Sequence, residues 1–106
     1  MQRVSYMDKK KEKLKSAVGL LKQLSHPVRL SILCNLLHKG EMSVGELIDA
    51  EGGNVGQSQI SQFLGKMKSE GLVSCRKQAQ TVYYDIKSPQ AKIIIQKLYD
   101  LYCEKC

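Results

Sequence analysis

The side chains with the most specific chemistry in this 106-residue sequence are four cysteines, Cys34, Cys75, Cys103 and Cys106. A thiolate can be oxidised, can exchange with a disulfide, or can bind a soft metal ion. A secreted disulfide scaffold begins with a signal peptide, and residues 1–8 contain no apolar signal core. We therefore expect a cytoplasmic protein, in which cysteines are buried thiols, metal ligands or redox-active groups. The residues alone leave these three roles open.

A second group of chemically useful side chains lies in the stretch 56–72. If this stretch is helical, one face is an apolar stripe made of Ile60, Phe63, Leu64 and Met67. The first two turns of the opposite face carry uncharged polar residues, namely Gln57, Ser58, Gln59, Ser61 and Gln62. Glutamine can form two hydrogen bonds with adenine, and serine can donate or accept one. The pattern fits a DNA-reading helix, and it also fits a polar surface helix.

Helix signals before this stretch predict the elements that position these side chains. A first helix runs from about 9 to 25, with a lysine-rich start followed by an apolar stripe. The sequence Ser25-His26-Pro27 begins a second helix, whose apolar stripe contains Cys34 and turns that thiol inward. Ser43 and Glu46 have the spacing of a capping box and begin a short third helix.

A β-hairpin is predicted directly after the polar-faced helix. Gly71 is expected to end that helix in the left-handed conformation. Residues 73–76 and 81–86 alternate as two short strands, and residues 77–80 connect them with basic and polar side chains. Cys75 is predicted to point inward from the first of these strands.

A last helix is predicted from about 88 to 105, starting at Ser88-Pro89. Its apolar surface, which includes Ile93 and Leu101, is wider than a single stripe. A terminal helix of this kind needs a second surface to pack against, and a dimer interface provides one. We therefore expect the first and last helices to form a dimer interface.

These elements predict one mainly α domain, residues 1–106, with a small β-hairpin: a dimeric winged helix-turn-helix in the order α-α-α-α-β-β-α. The helix-turn-helix would span about 43–70 and the wing about 72–87. The polar-faced helix fits the DNA major groove, and the wing places cations against phosphates. The predicted DNA-binding residues are Gln57, Ser58, Gln59, Ser61, Gln62, Lys66, Arg76, Lys77 and Gln80.

The composition agrees with a polyanion partner. The formal net charge is +7 and the isoelectric point is near 9.3, which favours DNA, RNA or an anionic membrane surface without choosing between them. No apolar run approaches the roughly 20 residues of a membrane span. The sequence contains no serine–histidine–acid, paired-carboxylate or glycine-rich phosphate-binding pattern, so we expect neither an enzyme nor a cofactor.

Four blocks of the sequence resemble the ArsR–SmtB family of winged-helix repressors. The block 21–33, LKQLSHPVRLSIL, is similar to the opening block of that family. The blocks 42–47 (MSVGEL), 57–64 (QSQISQFL) and 70–73 (EGLV) match the later ones. The resemblance extends over residues 14–103 and implies a homodimer on an inverted-repeat operator, released by an inducer. The chain departs from the family pattern in two places: its turn at 51–55 is longer, and Phe63 replaces a common histidine.

The inducer sites of the metal-sensing members are not matched. Arsenic, lead and cadmium sensors carry cysteines on both sides of the position of Val44, where this chain has Ser43 and Gly45. Zinc and nickel sensors use Asp and His ligands along the last helix, and residues 88–106 contain no histidine. We therefore expect no metal site of these kinds.

The pair Cys34 and Cys103 is similar to the cysteine pair of the thiol-sensing branch that includes HlyU, BigR and SqrR. That resemblance implies a disulfide or polysulfide bridge, formed with oxidants or reactive sulfur species, which releases the operator. Three alternatives stay open: Cys34 as a plain core residue, a metal-responsive repressor using Cys34, Cys103 and Cys106, and a winged-helix module that binds protein.

Overall fold

The computed structural model describes the backbone of residues 2–103 and the side chains of residues 9–103. It contains five helices and three strands in these residues, which confirms a mainly α winged helix-turn-helix. The elements in chain order are α1 Gln2–Leu24, α2 Pro27–Lys39, β1 Met42–Ser43, α3 Val44–Ala50, α4 Gln57–Ser69, β2 Val73–Gln78, β3 Thr81–Ile86 and α5 Pro89–Tyr102.

The starts of α2, α3 and α5 are fixed by side chains that accept hydrogen bonds from free backbone N–H groups. His26 caps α2 through its Nδ1 atom, and Ser88 caps α5 through its hydroxyl oxygen; each is followed by a proline at the first helical position. In α3, the Glu46 N–H donates to Ser43 Oγ over 3.1 Å, and the Ser43 N–H donates to Glu46 Oε1 over 2.9 Å. The predicted capping box is confirmed.

The end of α4 is fixed by a glycine. Gly71 has a φ of 78°, a conformation that costs residues with a Cβ atom free energy. Its N–H donates to the Lys68 carbonyl, and the N–H of Leu72 donates back to the Met67 carbonyl over 2.9 Å. Leu72 is then only 2% exposed, so the hydrogen bonds and the apolar contact together turn the chain into the wing.

The sheet has three antiparallel strands in the order β1-β3-β2. Strand β1 pairs Met42 with Tyr84 and Ser43 with Tyr83, so it ties the start of α3 to the wing. This strand was not predicted, because two residues are too few to show an alternating pattern.

The hairpin loop between β2 and β3 is shorter than the predicted connection 77–80. Strand β2 continues to Gln78 and leaves only Ala79 and Gln80 in the loop. Ala79 adopts a φ of 56°, because a two-residue hairpin requires left-handed backbone to match the twist of its strands.

Helix α2 lies at the centre of the fold and contacts α1, α3, α5 and β3. The side chains that are at most 2% exposed come mainly from α2 and α4. The largest of them are Ile32, Leu33, Leu36, Leu47, Ile60, Leu64, Met67, Val73 and Ile95. Burial of each such side chain contributes roughly 1.5–3 kcal/mol, so this core holds α4 firmly against α3 and β2.

The two outer helices, α1 and α5, differ from their predicted bounds. Helix α1 begins at Gln2 rather than near 9, since no proline or glycine interrupts the segment between these positions. Helix α5 ends at Tyr102, and Cys103 follows as its C-cap residue. The predicted helix end at 105 and Cys106 lie outside the described residues.

Candidate functional site

The buried stripe of α4 forces its polar face outward. Ile60, Leu64 and Met67 are fully buried. The polar residues of the first two turns are therefore presented to solvent: Gln57, Ser58, Gln59, Ser61 and Gln62 are all exposed. The face carries no charge, so its side chains can donate to or accept from a base edge without losing a strongly hydrated ion.

The N-terminus of α4 is also open to a ligand. Its N-cap residue is Gly56, which has extended backbone and no side chain to cover the first N–H groups of the helix. The preceding turn contains Gly52 and Gly53, with φ values of 70° and 79°. Val55 is buried and holds the last part of the turn against the core. Free N–H groups at a helix N-terminus attract phosphate oxygens.

Phe63 faces α2 rather than the outward side of α4. Its ring centroid lies 4.7 Å from that of His26, and the Arg29 guanidinium lies 6.0 Å above the same ring. The residue that departs from the family pattern therefore packs α4 against the start of α2. It takes no place on the polar face, and it strengthens the contact between these two helices.

Arg76 on the wing is held by an acidic partner that local sequence signals did not indicate. Its Nε and Nη2 atoms donate to the two carboxylate oxygens of Glu41 over 2.6 and 2.8 Å. Its Nη1 atom donates to Gln78 Oε1, and its guanidinium lies 5.0 Å over the ring of Tyr83. The hydrogen bond from Arg76 lowers the pKa of Glu41 from its usual value. Glu41 is 35 positions away along the chain, so only the folded sheet brings the pair together.

The other predicted DNA-binding residues outside the polar face have no acidic partner among the described residues. Lys66 lies in the last turns of α4, and Lys77 and Gln80 lie on β2 and in the hairpin loop; all three are exposed. The structure thus places all nine predicted DNA-binding side chains at the surface, on α4 and on the wing that follows it.

Cys75 lies at the junction between α4 and the wing. It is half-buried and is a free thiol. A hydrogen bond with the Cys75 side chain is the main cause that raises the pKa of Lys68, at the end of α4. Cys75 is therefore only partly turned into the core, on the strand that directly follows α4.

Cys34 lies on α2 and Cys103 at the end of α5, two helices that contact each other. Cys34 is half-buried against the core, and Cys103 is exposed at the C-terminal end of α5; both are free thiols. Burial raises the pKa of the Cys34 thiol, and the negative charge of the Cys103 thiolate raises it further. The two cysteines singled out from the sequence thus belong to helices that pack against each other, with Cys34 on α2 and Cys103 at the end of α5.

A ring contact fixes the helices beside this thiol pair. The rings of His38 on α2 and Tyr99 on α5 have their centroids 3.9 Å apart. His38 lies four residues after Cys34, and Tyr99 lies four residues before Cys103, so each ring is one helical turn from a thiol. The N–H of Cys103 also donates to the Tyr99 carbonyl over 2.8 Å, which fixes the backbone that carries the exposed thiol.

The described residues were also compared with the requirements of a metal site and of a membrane span. Within residues 2–103, no three histidine, cysteine, aspartate or glutamate side chains are grouped closely enough to hold a metal ion. No helix in the same range has the length and apolar character needed to span a membrane.

Comparisons with known proteins give a consistent picture. The sequence profile described as bacterial regulatory protein, arsR family, matches residues 26–74. The transcriptional activator HlyU of Vibrio cholerae is 46% identical over 88 residues, which cover 83% of this chain and 79% of HlyU. The biofilm growth-associated repressor of Xylella fastidiosa is 40% identical over 85 residues, which cover 80% of this chain and 72% of that protein.

Solved structures of the same two relatives share the fold. Reduced HlyU from Vibrio cholerae superposes with a TM-score of 0.83 at 42% identity, over 91% of this chain and 98% of that chain. The transcriptional repressor BigR from Xylella fastidiosa superposes with a TM-score of 0.79 at 35% identity, over 92% and 96% of the two chains.

Proposed function

Because the chain belongs to the arsR family of bacterial transcriptional regulators, we propose that it is a thiol-controlled repressor: a homodimer that binds an inverted-repeat operator and leaves it when Cys34 and Cys103 are oxidised or persulfidated. Members of this family are DNA-binding regulators and not enzymes, as expected from the sequence. The relatives include an activator and a repressor, so the direction of regulation is part of the proposal. The observation that carries it is the packing of α2 against α5 beside the two cysteines, where the rings of His38 and Tyr99, each one helical turn from a cysteine, lie 3.9 Å apart.

The proposed DNA contacts follow from the exposed face of α4. The N-terminal half of α4 would enter the major groove, with Gln57, Ser58, Gln59, Ser61 and Gln62 at base edges. Lys66, Lys77 and Gln80 would bind phosphates on either side and set the register of the helix without reading sequence.

Arg76 keeps a place among the proposed phosphate contacts, although Glu41 binds it. A guanidinium has five N–H donors, and three of them are used by Glu41 and Gln78. The other two are available to a phosphate oxygen. Glu41 would then act as a support that fixes the direction of the guanidinium, so that Arg76 binds phosphate with little further loss of side-chain freedom.

The homodimer is proposed from the apolar side chains that the fold leaves exposed. Along α1, Leu14, Val18 and Leu21 are 48–56% exposed and share one face at helical spacing. On α5, the exposed fractions are 66% for Ile93 and 73% for Leu101. A second copy of the chain would cover these faces and place two α4 helices about one DNA turn apart, roughly 34–36 Å.

The proposed chemistry begins at Cys103, because this thiol is exposed and Cys34 is half-buried. Hydrogen disulfide, HSSH, transfers one sulfur atom to the Cys103 thiol, and its other sulfur atom leaves as hydrogen sulfide. The Cys34 thiolate then attacks the inner sulfur of the Cys103 persulfide, which forms the Cys34–Cys103 disulfide and releases hydrosulfide. The two thiols lose two electrons, the two donor sulfur atoms gain them, and the thiol protons end on the two sulfide products.

The bridge would act on DNA binding through α2. One of the cysteines lies on the central helix of the DNA-binding core, and the other lies on a helix of the proposed dimer interface. A covalent link between these helices favours one packing of α2 against α5, and the operator favours another.

The test uses DNA selected by this protein from a random pool, which also shows whether the preferred sites are inverted repeats. We expect fluorescence anisotropy to give an operator Kd that rises roughly 5- to 150-fold after treatment with inorganic polysulfide, and that returns to its first value with dithiothreitol. Cys34→Ser and Cys103→Ser should abolish the response, and the matched control Cys75→Ser should keep it. An unchanged Kd in treated wild-type protein, with the bridge confirmed by mass spectrometry, would overturn the proposed control.

A further inference from the structure

A carboxylate from the turn before α4 is bound by two side chains of α2. Glu51 Oε2 accepts a hydrogen bond of 2.6 Å from the hydroxyl of Ser31 and one of 3.2 Å from the Nδ2 atom of Asn35. Both bonds are partly buried. Hydrogen bonds to an ionised acceptor are stronger than those between neutral groups, and partial burial reduces the competition from water.

The two donors lie on the helix that carries the proposed sensor thiol. Ser31 and Asn35 are one helical turn apart on α2, and Asn35 directly follows Cys34 in the sequence. A rotation or shift of α2 that accompanies a Cys34–Cys103 bridge therefore moves both donors. The carboxylate that binds them must follow or lose its hydrogen bonds.

The acceptor lies where a movement can reach the recognition helix. Glu51 is the C-cap residue of α3 and opens the turn that leads to α4. Gly52 and Gly53 follow it in left-handed backbone, a conformation that only glycine adopts without cost, and α4 then starts at Gln57. The Glu51 side chain attaches the start of this turn to α2 at a point six residues before the base-reading end of α4.

From these contacts we propose that Glu51 is a positioning residue that transmits the packing state of α2 to the N-terminus of α4. It touches neither DNA nor the reacting sulfur atoms. Its role rests on the proposed thiol control of DNA binding, because it sets how strongly the state of the thiol pair changes operator affinity. The turn that departs from the family pattern thus contains the side chain that couples the sensor to the DNA-binding surface.

The experiment compares two glutamates of α3 and its C-cap. Glu51→Ala removes the acceptor that reaches α2. Glu46→Ala is the matched control, because it removes a carboxylate acceptor of the capping box, which contacts only the start of α3 itself. For each full-length variant, the operator Kd is measured in the reduced and in the polysulfide-bridged protein, and the ratio of the two values is the readout.

We expect Glu51→Ala to reduce this ratio by roughly 2- to 30-fold, and Glu46→Ala to leave it at the wild-type value even if both Kd values shift together. Asn35→Ala should reduce the ratio in the same direction, and the double variant should lose little more than Glu51→Ala alone. Glu51→Gln, which keeps an acceptor oxygen for Ser31, should restore part of the ratio. This graded response separates coupling from plain destabilisation, which changes both states alike.

The outcomes separate this inference from the function on which it rests. If wild-type protein shows no difference between its reduced and bridged states, the thiol control itself is wrong. If the wild type responds and Glu51→Ala and Asn35→Ala respond to the same extent, the control stands and the role of Glu51 is overturned. The isosteric Glu51→Gln and the Asn35→Ala variant decide the question if Glu51→Ala does not fold.

Discussion

The outward face of α4 and the outer faces of α1 and α5 are both exposed, but they carry opposite kinds of side chain. In the first two turns of α4 the exposed residues, from Gln57 to Gln62, are polar and uncharged. On α1 and α5 they include large apolar side chains such as Leu21 and Ile93, which are 55% and 66% exposed. A hydrogen-bonding surface is complementary to base edges, whereas an apolar surface gains free energy only when another apolar surface covers it.

This difference assigns different partners to the two regions. The core determines both surfaces. Because one face of α4 and one face of α5 are buried, the side chains on the opposite faces must point outward. Cys34 lies on α2 and Cys103 at the end of α5, and Glu51 joins the same α2 to the turn before α4. The proposed regulation is therefore a coupling between a surface that binds DNA and a surface that binds a second copy.

The largest effect is expected from a charge placed in the apolar region. Ile93→Glu should convert the proposed dimer to a monomer, because a carboxylate would lose its hydration in the covered interface. The fold should persist, since Ile93 is 66% exposed and lies outside the core. Loss of the second half-site contact should weaken operator binding by roughly 10²- to 10⁴-fold. Sedimentation velocity and anisotropy measure the two effects.

Ile93→Leu is the control for that variant, because it keeps an apolar side chain of the same size at the same exposed position of α5. It should leave the dimer and the operator affinity unchanged. A dimeric Ile93→Glu protein with wild-type affinity would show that the exposed apolar face of α5 has another role.

A moderate effect is expected from the polar region. Gln59→Ala removes one exposed amide from the base-reading face of α4. If Gln59 binds a base edge, affinity should fall by about 1–3 kcal/mol, and discrimination should relax at a single base pair in each half-site. The slope of log Kd against log salt should stay the same, because no phosphate contact is lost. Competition assays with singly substituted operators measure the discrimination.

Gln90→Ala, which truncates an exposed glutamine far from α4 in sequence, is the matched control and should bind as the wild type does. A uniform loss of affinity over all substituted operators would instead place Gln59 among residues that do not read sequence.

The smallest effect concerns the thiol pair that links the two regions. Bridge closure requires the Cys34 thiolate, and burial and the neighbouring Cys103 raise the pKa of Cys34. Between pH 8 and 9 the rate of closure should therefore rise by more than the roughly threefold gain expected for a thiol with an ordinary pKa of about 8.5. The rate is measured by mass spectrometry of protein treated with persulfide, in a Cys75→Ser, Cys106→Ser background.

The same raised pKa has a consequence for folding. The folded state keeps the Cys34 proton to higher pH than the unfolded chain, so its contribution to the free energy of unfolding is present at neutral pH and is lost as pH rises through the folded-state pKa. In the rate measurement, a closure rate with the pH dependence of a thiol of ordinary pKa would show that the attacking thiolate is not Cys34.

Local signals in the sequence were enough to predict most of the helical framework. The Ser43–Glu46 capping box, the proline after His26 and the left-handed Gly71 all act within a few residues, so a linear pattern contains them completely. The buried stripe of α4 and the exposure of its polar face follow in the same way from helical spacing. The two cysteines were paired by resemblance to a family, not by spacing.

Only the tertiary structure decided the contacts that cross between elements. The pairing of β1 with β3 and the hydrogen bonds of Arg76 with Glu41 join residues with many others between them in sequence. The carboxylate of Glu51, which belongs to a turn, binds α2 for the same reason. Such contacts depend on how helices and strands pack, and packing is a property of the whole core. The sequence by itself therefore determined which surfaces this protein exposes, and the fold determined how α2 connects the thiols to the helix proposed to read DNA.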